Sequence, residues 1–288
     1  MGWQLPALRV IGAYLRHAPE HPGRWRLIDP AVRLAPALRS VTAPMVIRVR
    51  EGFAMQIDGS SQTGRMLYAT GEYESETSLL IQRLLRPGDT MVDVGANIGY
   101  FTILGARAVG VRGRVAAFEP MPHVRQRLER NIALNRLTNV VVRSEALSDT
   151  PGLSTFYAGP VDDTGLASLR PLDGSSQVAV MRARFDDIWN PSDRVALVKI
   201  DVEGAEMAAI GGMTECLKRD APHIILEVTD GYLRAMGSSA DALVAHLIGF
   251  GYSVYRISHG PLVPIRHSDD LKACPPQFNA LFTKALVA

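Results

Sequence analysis

Apolar positions change their period near residue 71. Before it, residues 1–17 set Leu5, Leu8, Ile11 and Leu15 at helical spacing with Arg9 and Arg16 between them. Pro, Arg and His then dominate residues 17–44, and two short runs, 45–49 and 53–57, flank Arg50-Glu51-Gly52 as a hairpin. From Gly71 onward, β-runs and amphipathic stretches take turns. A helix over 76–85 stops at Arg86-Pro87-Gly88-Asp89; a strand at 91–95 leads into a helix at 100–109. Next come a strand at 115–118, a helix from about 122 to 135 carrying Val124, Leu128, Ile132 and Leu134 on or near one face, and a strand at 140–142. Such alternation predicts right-handed crossovers and an α/β fold built on a doubly wound, mainly parallel sheet.

The alternation breaks in the middle of the chain. Residues 153–157 and 178–182 read as strands, and the Gly-, Ser-, Asp- and Pro-rich stretch 159–177 between them is too long for a simple connector, so it is expected to be a mobile surface loop or lid. Alternation returns with a strand at 195–200, a helix beginning near Gly204, a strand at 223–228, a helix at 240–249 and two last strands near 252–257 and 279–283. This divides the chain into an N-terminal helix and hairpin extension, 1–70, and a main domain, 71–288. There is no internal repeat.

Composition narrows the class. At 288 residues and 47% hydrophobic content the chain can bury a full core. Its formal net charge of only +2 argues against a dedicated nucleic-acid partner. Cys216 and Cys274 lack metal-ligand or Cys-x-x-Cys spacing, which predicts reduced, buried thiols in a cytoplasm. No run reaches the roughly 18 apolar residues of a membrane span. The first seventeen residues also lack a signal-peptide core, so they read as a docking helix, with peripheral contact to anionic lipid as the lesser reading. A homo-oligomer is compatible with all of this.

The chemistry gathers at two places. In Met91-Val-Asp-Val-Gly-Ala-Asn-Ile-Gly99 a β-run ends in a glycine turn that opens a helix, and Glu119 follows Gly99 by 20 positions, where the second strand should end. Glycines at 95 and 99 permit close backbone approach, and a carboxylate at 119 can accept bonds from both hydroxyls of a ribose. The turn reads Gly-x-x-x-Gly, without the central glycine that makes room for a pyrophosphate. A cofactor with a ribose and no phosphate fits better, and S-adenosylmethionine (SAM) is such a cofactor. The second place is Val198-Lys-Ile-Asp-Val-Glu-Gly-Ala-Glu206 with Ile224-Ile-Leu-Glu-Val228. Asp201 and Glu227 end the fourth and fifth strands of the alternation, so both carboxylates should face the crevice of the glycine turn. Glu203 is a further candidate, whereas Glu206 suits the dipole of a helix start.

Together these segments resemble the FkbM family of SAM-dependent methyltransferases. Val92-Asp-Val-Gly-Ala-Asn-Ile-Gly-Tyr-Phe101, Phe118-Glu-Pro120, Asn131 with Asn135, Glu145-Ala-Leu-Ser148, residues 198–206 and Ile225-Leu-Glu-Val228 follow the family's motifs in order. The resemblance runs from about 71 to 228, more weakly through the C-terminal strands, and leaves the first seventy residues unexplained. It implies a class I methyltransferase fold, with a seven-stranded sheet ending in a reversed hairpin, and O-methylation of hydroxyls on sugars or secondary metabolites. It also implies that Asp93, Gly95, Asn97 and Gly99 surround the methionine end of SAM, that Glu119 holds the ribose, and that Ser144 and Glu145 lie by the adenine.

A sugar hydroxyl is a poor nucleophile until its proton is removed. Asp201, Glu203 or Glu227 would accept that proton, or two of them would hold Mg²⁺ that lowers the hydroxyl pKa. Lys199 is a weaker candidate, because alternation along its strand does not settle which way it points. Two other enzyme classes share parts of this pattern. A nicotinamide oxidoreductase would have the ribose acid but needs the pyrophosphate glycines; many N-methyltransferases place Asn/Asp-Pro-Pro-aromatic after the fourth strand, where this chain has Asp201-Val-Glu-Gly204.

Overall fold

The computed structural model describes residues 3–17, 24–41, 43–158, 167–168 and 176–285. Its strands are β1 (Met45–Arg48), β2 (Ala54–Ile57), β3 (Thr90–Val94), β4 (Arg114–Phe118), β5 (Val140–Arg143), β6 (Ala146–Leu147), β7 (Gly152–Ala158), β8 (Ala167–Ser168), β9 (Ser176–Ala183), β10 (Leu197–Ile200), β11 (His223–Thr229), β12 (Ser253–Arg256), β13 (Val263–Ile265) and β14 (Gln277–Thr283). The main sheet runs β13-β12-β14-β11-β10-β3-β4-β5. Its five strands from β11 to β5 are mutually parallel, and β14 is antiparallel to both β11 and β12. This is the doubly wound α/β sheet with a reversed final hairpin. Its seven expected strands are joined by an eighth, β13, which among the described residues pairs only with β12 and carries Pro264, a residue that an edge strand tolerates.

The central parallel strands β3, β4 and β10 are buried on both faces, which is why they read as continuous apolar runs. Period-two alternation then sorts their residues. Met91, Leu197, Ile225 and Leu281 face one core, with the helices Ser75–Leu84 and Tyr100–Val109; Val92, Val94, Val198, Ile200, Leu226 and Val228 face the other, with Glu206–Gly211, Thr214–Asp220 and Ala240–Gly249. By the same parity Asp93, Lys199 and Glu227 share the first face, and Asp93 and Lys199 are direct partners in the ladder.

The N-terminal residues join the first core. Helix Gln4–His17 buries Leu8 and Leu15, and helix Gln62–Thr70, which the sequence pattern did not reveal, buries Leu67 and Tyr68 in the same cluster as Phe53, Met55, Ile98 and Tyr100. The two helices approach closely at Gly12, where a Cβ would lie 2.7 Å from the Tyr68 carbonyl oxygen. Arg16 donates to that carbonyl, with its guanidinium 4.8 Å from the Tyr68 ring centre. β1 and β2 form the expected hairpin. Its outer edge is met by side chains of helix Pro122–Leu134 and its C-cap: Asn135 Oδ1 accepts from Ala54 N at 2.9 Å and its Nδ2 donates to Ala54 O at 2.7 Å, while Asn131 does the same for Gln56 at 2.6 and 3.2 Å. Asn131 Nδ2 also donates to Ile98 O in the glycine turn at 2.8 Å.

β6, β7, β8 and β9 make a second, four-stranded sheet in the order β6-β9-β7-β8. The strands at 153–157 and 178–182 are thus its central antiparallel pair. The expected mobile loop or lid at 159–177 lies outside the described residues, apart from 167–168 and 176–177. Among the described residues no helix is long and apolar enough to cross a membrane. Both cysteines are free, Cys216 buried and Cys274 half-buried.

Candidate active site

The glycine turn is shaped by three left-handed residues, Gly95 (φ 79°), Asn97 (φ 50°) and Gly99 (φ 94°). Asparagine tolerates this region better than other residues with a side chain. At Gly95 the constraint is also steric, because a Cβ there would sit 2.0 Å from the Asp201 carbonyl oxygen, where β3 and β10 end side by side. Gly95→Ala therefore combines backbone strain with a backbone clash and is expected to cost roughly 2–5 kcal/mol of stability. Urea unfolding checks this; a near-native midpoint would mean that the strand ends separate easily.

Glu119 leaves β4 buried beneath the turn, 6% exposed. Its Oε2 accepts from Asn97 N at 3.0 Å and its Oε1 from Met121 N at 2.9 Å. Burial raises its pKa to about 7, against the lowering effect of those two amides and of Arg125. Each oxygen keeps a second lone pair. The carboxylate thus braces the turn and still has acceptor capacity for a ligand hydroxyl. Thr102, in the first turn of the following helix, donates to Asp93 Oδ2 at 2.5 Å; Asp93 Oδ1 is buried with no partner among the described residues.

Beside the turn, on the second face of the sheet, lies a cavity of about 500 Å³. Val94, Gly95 and Phe118 come to it from the main sheet, Phe156 and Arg182 from the small sheet, and Val202 and Met207 from the segment after β10. Its size and apolar walls suit a nucleoside-sized ligand. Glu145, bonded to Arg143 at 2.8 Å, lines it together with Ser148. Of the residues expected around the cofactor, Gly95 and Glu145 line it; the exposed Ser144 does not, nor do Asp93, Asn97, Gly99 and Glu119, which lie at or beneath the turn.

On the first face the strand ends bring carboxylates together. Glu74, Asp201 and Glu227 each offer one oxygen, all within 4.8 Å of one another. Lys199 sits among them, 3% exposed, with its Nζ 2.8 Å from Asp201 Oδ2 and 4.5 Å from the Phe101 ring centre. Burial alone would lower the lysine pKa, but Asp201, Glu74 and Asp93 outweigh it and the net shift is upward. Lys199 is therefore an ammonium and the resident cation of this set. A divalent ion bound by this set would compete with the Lys199 ammonium for Asp201 and be repelled by its charge, so these residues do not favour the Mg²⁺ alternative. Glu227 is raised to about 7, first by burial and then by the charge of Asp201. Burial likewise raises Glu74 and Asp93.

Glu203 occupies a left-handed turn (φ 51°) and lies outside the three-carboxylate set. Glu206 accepts from Gly204 N at 3.1 Å and locks that turn. His223, bonded through Nδ1 to Thr283 Oγ1 at 2.8 Å, stands at the amino end of β11, away from the cluster. Sequence reasoning missed Glu74, which precedes helix Ser75–Leu84 and accepts from Asn279 Nδ2 at 2.6 Å. It also left Lys199 undirected. The signal that settles Lys199 is its ladder partner Asp93, once β3 and β10 are known to be neighbours.

The chain is similar to several known proteins. The curated AMB antimetabolite synthetase AmbE of Pseudomonas aeruginosa is 30% identical over 210 residues, 59% of this chain and 10% of that protein, so the chain spans only a tenth of its length. The 31-O-demethyl-FK506 methyltransferase FkbM of Streptomyces tacrolimicus is 30% identical over 204 residues, 59% of this chain and 75% of that one. Hexuronic acid methyltransferase AglP of Haloferax volcanii is 26% identical over 196 residues, covering 67% and 77%. Residues 93–254 match the Methyltransferase FkbM domain. That match covers more than half of the chain, from the acid before the glycine turn through both strand-end carboxylates, and the chain belongs to the FkbM methyltransferase family.

Proposed function

We propose that this protein is a SAM-dependent O-methyltransferase whose acceptor hydroxyl belongs to a sugar, a glycolipid or a secondary metabolite. The observation that carries this reading is the adjacency of two unlike compartments at the carboxyl end of one sheet: a cavity beside the glycine turn and a half-buried carboxylate set across the tip of β10. Asp93, Gly95, Asn97 and Gly99 would hold the methionine part of SAM, Glu119 the ribose, and the wall containing Phe118 and Glu145 the adenine. SAM, when bound, supplies an activated sulfonium methyl, so the protein's task is to align the acceptor oxygen and take up its proton. Glu227 suits the second task, since a base with a pKa near neutrality accepts a proton at physiological pH. Asp201, held at 2.8 Å by Lys199, is fixed in place beside it. The hydroxyl acceptor is favoured because the relative from Streptomyces tacrolimicus is named as a methyltransferase of 31-O-demethyl-FK506.

Incubation with methyl-labelled SAM and fractionated cell extract tests the activity, and label appearing as an ether in one fraction is the expected result. Label in a secondary or tertiary amine would instead place the protein among N-methyltransferases. For the cofactor, calorimetry of Glu119→Ala should show SAM affinity weakened by about 1–3 kcal/mol, the loss expected when charge-assisted bonds to a ribose and two braced amides vanish together. Unchanged affinity in a folded variant would remove Glu119 from the site.

A further inference from the structure

We propose that the outer face of the N-terminal helix docks this protein on an anionic lipid surface. The inner face of Gln4–His17 is spent on the fold, through Leu8, Gly12 and Leu15. Its outer face is not polar, as an ordinary surface helix would be. Trp3 is 68% exposed, Val10 72% and Tyr14 41%. At 3.6 residues per turn these three fall within an arc of about 40° on the side away from the core. Trp and Tyr are the side chains that settle at a lipid–water boundary, with an apolar body and a polar tip.

Charge points to the same occupant. The first fifty residues hold eight arginines and no lysine against Glu20 and Asp29, a balance of +6, so the rest of the chain carries four more acids than bases to reach the overall +2. Arg9, Arg26, Arg33, Arg39 and Arg48 are all exposed, none in an ion pair among the described residues, and Asp29 is the one carboxylate that the described part of this segment contains. A second copy of the chain would set one such basic segment against another. An anionic bilayer instead offers negative charge to the guanidiniums and an apolar boundary to the Trp3–Val10–Tyr14 stripe. The inference does not depend on the reaction proposed above.

Co-sedimentation of the full chain with phosphatidylcholine vesicles, with and without phosphatidylglycerol, tests it. Binding should be at least about tenfold tighter to the anionic vesicles at low salt and should weaken as salt rises. Trp3→Ser with Val10→Ser should reduce that binding by roughly tenfold or more while leaving thermal unfolding unchanged, because both side chains are exposed. Trp3→Phe should keep the binding and lose most of the blue shift in tryptophan emission. The proposal is overturned by equal binding to both vesicle types, by no binding, or by a double variant that binds as the wild type does. A concentration-dependent dimer in light scattering, or a shift of single-stranded RNA, without vesicle binding would assign the surface to those partners instead.

Discussion

Asp201→Asn and Glu227→Gln should each lower methyl transfer by roughly 10²–10⁴ while leaving SAM affinity nearly unchanged, the size expected when a general base or its fixed neighbour loses its charge. Both amides preserve shape and most hydrogen bonding, so a folding defect is not the expected cause. The pH profile separates the two residues. Glu227 titrates near 7 in the fold, above the ordinary 4.5, because burial and the Asp201 charge disfavour its anion. Activity should therefore rise with pH through about 7, and the acid limb should flatten in Glu227→Gln. Stability should move the other way. A carboxyl whose pKa is raised on folding favours the fold while protonated, so its contribution is present below about 4.5 and is lost as pH rises through about 7; the loss is on the order of 2 kcal/mol. Glu227→Gln should lack that decline. If both variants turn over normally when chemistry limits the rate, the carboxylates are structural.

Lys199→Met should destabilise the protein by about 3–5 kcal/mol, the usual cost of removing one partner from a buried ion pair. The loss should deepen as pH rises, because Asp93, Glu74 and Glu227, whose pKa values burial raises, would then ionise with no cation among them. Adding Asp201→Asn to Lys199→Met should recover part of the stability, a non-additivity expected of groups in direct contact. Denaturant unfolding of the two single variants and the double variant measures it. A loss below about 1 kcal/mol for Lys199→Met would mean that solvent screens the cluster in solution.

Much of this candidate site is legible in the sequence. Gly95, Gly99 and Glu119 announce themselves because a strand, a tight turn and a helix leave few residue choices at those points, and Asp201 and Glu227 because a carboxylate closing an apolar run is conspicuous. Lys199 was not legible. In a strand buried on both faces the neighbours Val198 and Ile200 are as apolar as Leu197, so alternation has no polar side to report. Glu74 was hidden for a different reason: its meeting with Asp201 and Glu227 is set by where the segment before helix Ser75–Leu84 crosses the sheet, which no local period encodes. Helix Gln62–Thr70 escaped notice because it is short and opens with Gln62-Thr63-Gly64, of which Gly64 is a poor helix former. β13, with three residues and a proline, gives no β-signal strong enough to stand apart from a loop.

Asn131 and Asn135 act on β2 as an adjoining strand would. Each carboxamide presents one acceptor and one donor to the backbone of a single residue, Gln56 or Ala54, in the manner of a peptide group. The free margin of the hairpin is thereby terminated by a helix, and it offers no template for strand addition by another molecule. Because β2 residues alternate in direction, a slip of one position would present the wrong backbone groups to both carboxamides at once. The pair therefore fixes register as well as solubility: Asn135→Leu, at the carboxamide that does not reach the glycine turn, is a change that would reopen part of an aggregation-prone edge at a distance from the strand-end carboxylates.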